Sequence, residues 1–140
     1  MSDFVLDCSI AAAWLFDDEA TAQTNDLLVR LKDSRAFVPN IWHLELGNVL
    51  IQAERRKCIT STQISTRLEL ISRLPIITDT ETDNRAFREI LTLARTEALT
   101  TYDAAYLEIA IRRGVPLATL DKALIRAANR VEVQVLPLTG

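Results

Sequence analysis

Short unbroken apolar runs alternate along this chain with longer stretches in which apolar residues return every three or four positions. Phe4-Val5-Leu6, Ala36-Phe37-Val38, Pro75-Ile76-Ile77-Thr78 and Leu117-Ala118-Thr119-Leu120 are the runs, and a last one lies near 133–136. Brief continuous apolar segments of this kind predict strands buried on both faces, the mark of a parallel sheet covered by helices. Helical spacing fills the intervals. Ser9 can cap a helix that runs to about 16, and Thr24, Leu27, Leu28 and Leu31 pattern a second over 20–32. Trp42, Leu46, Val49, Leu50 and Ala53 share one face of a helix over 41–56. Thr60-Ser61 caps a helix carrying Ile64, Leu68 and Ile71, and Ala86, Phe87, Ile90, Leu91 and Ala94 mark the next. A helix over 101–113 stops at Gly114, and another spans 122–129. The alternation predicts one three-layer α/β/α domain over 1–140 with a central, mainly parallel sheet.

That pattern singles out four carboxylates at junctions between elements. Asp7 ends the first strand and Asp121 the Leu117 strand, while Glu45 and Asp103 fall near the starts of two strongly patterned helices. Ligands of open parallel sheets bind outside the carboxyl ends of the strands, so a common edge is natural for Asp7 and Asp121. Like charges gathered at one point repel, and if these four converge a divalent cation is the economical way to hold them. Each also has a plainer reading. Asp7 and Asp121 can cap the helices that follow them, and Glu45 can sit on a solvated helix edge. Asp103 shares a face with Leu107 and Ala110, where a carboxylate is costly unless hydrogen-bonded or metal-bound. Asn48 follows Glu45 at i+3 on the same polar stripe. Ser9 and Thr119 lie two residues from Asp7 and Asp121, where they could orient a carboxylate or serve as an ordinary cap and strand residue.

Composition narrows the chemistry. Apolar residues make up 49% of the 140 positions and charged residues 25%, enough for a proper core without staples. Two cysteines, Cys8 and Cys58, and the single histidine, His43, exclude a disulfide framework and a structural zinc site. No apolar run is long enough to cross a bilayer, and the N-terminus has no basic region ahead of its apolar stretch, so a cytoplasmic protein is expected. A net charge of −3 argues against gripping nucleic acid by bulk electrostatics. Local cationic groups at Arg55-Arg56-Lys57, Arg112-Arg113 and Arg126/Arg130 could still gather on one face, or simply cap helix ends. There is no Gly-rich phosphate loop and no G-x-S-x-G nucleophile elbow.

Four segments in this order, Val5-Leu6-Asp7-Cys8-Ser9, Leu44-Glu45-Leu46-Gly47-Asn48-Val49-Leu50, Thr101-Tyr102-Asp103-Ala104-Ala105-Tyr106-Leu107 and Leu117-Ala118-Thr119-Leu120-Asp121, resemble the PIN-domain family. More narrowly they are similar to the VapC toxins of VapBC toxin–antitoxin pairs, and the likeness runs from residue 4 to about 136. The resemblance implies a Mg²⁺- or Mn²⁺-dependent endoribonuclease whose acidic quartet is Asp7, Glu45, Asp103 and Asp121. Asp7 and Asp103 would stand closest to the principal ion, with Ser9, Asn48 and Thr119 as supporting polar residues. It also implies a VapB-like antitoxin laying a tail, with an Arg, over the cleft, and a homodimer or larger complex. Cys8 replaces a commoner small residue and could make the site sensitive to thiol reagents. A stand-alone RNA-processing nuclease and a non-catalytic binding module remain the alternatives.

Overall fold

The computed structural model describes residues 3–137. Five strands form one sheet in the order β3-β2-β1-β4-β5, and every neighbouring pair is parallel. They are β1 (Phe4–Leu6), β2 (Ala36–Val38), β3 (Ile76–Thr78), β4 (Leu117–Ala118) and β5 (Val135–Leu136). The chain builds outward from β1 to β3, then crosses back to place β4 on the other side of β1. That reversal opens a crevice at the carboxyl ends of β1 and β4, where open α/β sheets hold their ligands.

Helices α1 (Cys8–Leu15), α2 (Ala22–Arg30), α3 (Trp42–Arg55) and α4 (Ser61–Ser72) connect β1 through β3. The return to β4 carries α5 (Thr82–Arg85), a π-helical turn (Ala86–Ile90), α6 (Leu91–Glu97) and α7 (Thr101–Arg113), and α8 (Lys122–Arg130) leads to β5. Right-handed crossovers put α1–α4 on one face of the sheet and α5–α8 on the other. Accordingly α1 packs on α2 and α3, while α6 and α8 pack on α7, which lies across β1, β2 and β4. The expected three-layer architecture is present, and the sheet is parallel throughout the described strands.

The core sits where the patterning puts it. Phe4, Val5, Leu6, Leu117 and Ala118 are sealed from solvent, and Trp42, Leu46, Leu50 and Ala53 form the buried stripe of α3. Each such large side chain contributes about 1.5–3 kcal/mol relative to exposure. Gly114, at φ 65°, closes α7 in the left-handed region that only glycine enters without steric cost.

Four local expectations change. Helix α1 begins at Cys8 with Asp7 in the capping position, so Ser9 is not its cap. A reciprocal box between Thr21 and Thr24 starts α2, which sets its first residue at Ala22. Phe87 belongs to no core face: it is 90% exposed, because the π-helical turn adds a residue and rotates the stripe past it. No residue of α4 is buried, although Ile64 and Ile71 pack partly against the core.

Candidate active site

Asp7 leaves β1 at its carboxyl end, and its side chain is 7% exposed. It occupies the N-cap position of α1 without making a side-chain capping bond. The carboxylate turns instead toward the neighbouring strand end. Ser9 donates its hydroxyl to Oδ2 at 2.6 Å, and Thr119, just past β4, donates to the same oxygen at 2.7 Å. Thr119 Oγ1 also accepts from the Asp121 amide at 3.0 Å, and Ser9 Oγ accepts from the Leu120 amide at 2.9 Å. These bonds stitch the two sides of the crevice together. Both hydroxyls meet Oδ2, and the Ser9 and Cys8 backbone amides also favour the charged carboxylate.

Glu45 comes from the first turn of α3 and Asp103 from the first turn of α7, each half-buried. They reach the crevice from opposite faces of the sheet. Tyr106, fully buried on α7, donates its hydroxyl to Glu45 Oε1, which ties those two faces together. Asp121 is exposed and accepts from the Leu124 amide at 2.9 Å, so the capping reading of this residue holds beside any other. Asn48 is exposed one turn beyond Glu45 and has no hydrogen bond among the described residues. His43 is exposed and packs edge-on to Trp42, ring centroids 5.0 Å apart.

The electrostatics show how closely the quartet gathers. Burial raises the Asp7 carboxyl above its usual range, opposed by the Ser9 and Thr119 hydroxyls and the nearby Ser9 and Cys8 amides. Burial also raises Glu45, and the charges of Asp7 and Asp103 add to it, while the Tyr106 hydroxyl opposes. Asp103 rises through burial and the charges of Asp121 and Asp7. Glu45 and Asp103 therefore each feel other members of the set, and no ion pair among the described residues reaches any of the four.

Asp79, another buried acid, makes the contrast. Burial works against ionising Asp79 as well, yet Arg112, the Glu81 amide and Arg113 hold it down to about 2. Arg112 bonds it at 2.8 Å and 3.1 Å, and Arg113 at 2.9 Å. Arg112 also binds Glu108 at 2.9 Å. Arg112 and Arg113 thus serve an internal network and not a substrate face, because a buried carboxylate captures the nearest cations. Arg130 pairs with Glu97 at 3.2 Å. Lys122 and Arg126 stay exposed on α8, directly after Asp121.

As the side chains stand, no three acidic, His or Cys groups among the described residues are close enough to hold an ion. The donor set nonetheless fits a hard divalent cation, which takes carboxylate oxygens and retains waters. A buried carboxylate beside two others destabilised by burial and neighbouring negative charge is relieved by such a cation. Burial, with the charges of Asp7 and Glu45, pushes the Cys8 thiol up to about 12, which favours its protonated form.

Sequence reasoning missed Tyr106 as a site residue. A large side chain at i+3 from Asp103 reads as core, and only its hydroxyl's partner on α3 reveals the second role.

Residues 4–130 match the PIN domain, and the chain belongs to that family. Three solved structures share its fold. The PAE2754 protein from Pyrobaculum aerophilum aligns at TM-score 0.67 and 23% identity, over 90% of this chain and 79% of that one. VapBC2 from Rickettsia felis, solved bound to a DNA fragment from its promoter, aligns at 0.64 and 20%, over 95% and 96%. FitAcB from Neisseria gonorrhoeae aligns at 0.64 and 17%, over 94% and 95%. No curated protein matches the sequence. Among the described residues, no helix is long and apolar enough to cross a membrane.

Proposed function

We propose that this chain is a metal-dependent endoribonuclease acting as the toxin of a type II toxin–antitoxin pair. The observation that carries the reading is Asp7, buried at the switch point of a parallel sheet, held by Ser9 and Thr119, with Glu45, Asp103 and Asp121 brought around it and no cation to balance them. Two of the three similar structures are named for paired toxin–antitoxin systems, which supports a VapB-like antitoxin as partner.

Mg²⁺ or Mn²⁺, bound there, would supply a water acidified toward neutral pH and a counter-charge for the phosphodiester. Asp7 and Asp103 would hold the ion most directly, and Glu45 and Asp121 would orient water or a second ion. Ser9 and Thr119 keep Asp7 in one orientation, and Tyr106 does the same for Glu45. Asn48, exposed one turn beyond Glu45, would be a supporting polar residue. The protein would work in the cytoplasm as a homodimer or in a larger complex with antitoxin. Exposed Leu68 and Leu70 on α4, a helix with nothing buried in the monomer, support such an assembly.

Purified protein incubated with total cellular RNA, with Mg²⁺ or Mn²⁺ against EDTA, tests the reading beside Asp7→Asn. Discrete fragments that need both the ion and Asp7 are expected. Asp7→Asn cleaving at the wild-type rate would remove the assignment. A short upstream reading frame for an antitoxin separates the toxin from a stand-alone RNA-processing nuclease.

A further inference from the structure

Three of the ten large apolar side chains exposed among the described residues each stand one residue before a member of the quartet. Leu44 precedes Glu45 and is 78% exposed, Tyr102 precedes Asp103 at 60%, and Leu120 precedes Asp121 at 45%. A scattered exposed leucine needs no explanation, but each of these three is the chain neighbour of an acid of the quartet.

Tyr102 is the member whose position is best determined. It lies four residues before Tyr106, so the two share one stripe of α7. Tyr106 is sealed from solvent and its hydroxyl reaches Glu45. Tyr102, one turn nearer the start of the helix, therefore lies on the same side of α7 as the Tyr106–Glu45 contact, exposed to solvent. It takes part in no ring contact, ion pair or hydrogen bond among the described residues.

We propose that Tyr102 is a positioning residue on which an unpaired nucleobase stacks, fixing the adjoining phosphodiester over the acidic crevice. The inference rests on the ribonuclease reading above and adds to it a residue and a contact. An acidic rim repels a polyanion, so the affinity that seats RNA here must come partly from something other than charge. An exposed aromatic ring provides it, since every base has a face to stack and a paired base does not offer it.

The test uses unpaired RNA oligonucleotides carrying 2-aminopurine at successive positions, with Asp7→Asn protein so that the RNA stays intact. One position should lose fluorescence on binding, and Tyr102→Phe should preserve that quenching. Tyr102→Ala should abolish it and weaken binding by about 5- to 100-fold. In the otherwise wild-type chain, Tyr102→Ala should raise KM for cleavage with a much smaller change in kcat, and Tyr102→Phe should restore it. Annealing the RNA to its complement should remove the difference between Tyr102 and its Ala variant. If wild-type protein cleaves RNA and Tyr102→Ala binds, quenches and cleaves as well as it does, the stacking role is overturned while the nuclease stands, and the ring belongs to a protein contact. If the protein neither binds nor cleaves RNA, both readings fall together.

Discussion

Thr119 and Asp7, 112 residues apart in the chain, are joined by a hydrogen bond of 2.7 Å between the ends of adjacent parallel strands. The bond favours the charged carboxylate against a burial that disfavours it. Thr119→Val keeps the shape and removes the donor, and it also strips the acceptor from the Asp121 amide. The variant should lose about 1–3 kcal/mol of stability. The Asp7 carboxyl should rise further, moving the acid limb of the cleavage pH profile upward. Urea denaturation and a pH–rate profile check this, and an unmoved acid limb would show that the bond only packs the strand ends.

Tyr106→Phe isolates the second cross-sheet contact. The ring and its packing remain, so stability should fall by no more than about 0.5–1.5 kcal/mol. Glu45 loses the hydroxyl that opposes its rise. Cleavage efficiency should drop roughly tenfold, the scale of a lost orienting partner at a metal site. Equal kcat/KM in the two proteins would return Tyr106 to the core alone.

Stability should respond to pH in an unusual direction. Asp7, Glu45 and Asp103 are raised above 3.8, 4.5 and 3.8, chiefly by burial. A carboxyl that is higher in the folded state favours folding below its unfolded value and loses that contribution as pH climbs through the folded one. Asp79, held at about 2, acts oppositely, and its contribution is complete above 3.8 and lost only as pH falls toward 2. Metal-free protein should thus melt higher at about pH 5 than at about pH 8. Mn²⁺ in roughly hundredfold excess over its Kd should raise Tm by about 5–10 °C, more so at the higher pH because its ligands must be ionised. Thermal melts with and without Mn²⁺ decide the matter, and a Tm indifferent to the ion at both pH values would favour a binding module.

Lys122 and Arg126 lie one turn apart on the outer side of α8, both exposed and without an ion pair among the described residues. Changing both to Ala should weaken RNA binding similarly for all sequences and reduce the salt slope by about 1–2. Arg55 and Arg56, at the far end of α3 from Glu45, serve as the control and should leave the slope unchanged. Titrations at several salt concentrations compare the two.

The Asp79 network makes a prediction about stability alone. Its carboxylate is fully buried, and Arg112 holds both its oxygens. Arg112→Ala leaves that charge to Arg113 and leaves Glu108 short of its partner, which should cost about 3–5 kcal/mol. Equilibrium denaturation measures it; a loss under 1 kcal/mol would mean Arg113 alone suffices.

The alternation of short apolar runs with helical spacing was enough to predict a parallel α/β sheet, and the junction positions of Asp7, Glu45, Asp103 and Asp121 were visible in it. Local patterning can do this because burial on one or both faces is a property of each element taken separately. It could not show that Ser9 serves Asp7 and Leu120 instead of capping α1, or that the π-helical turn swings Phe87 into solvent. Nor could it show that Arg112 and Arg113 are committed to Asp79, or that Tyr106 reaches Glu45 from across the sheet. Those pairings join residues up to 111 positions apart. They are decided by strand order and crossover hand, and by the need of each buried charge or hydroxyl to find a partner in space.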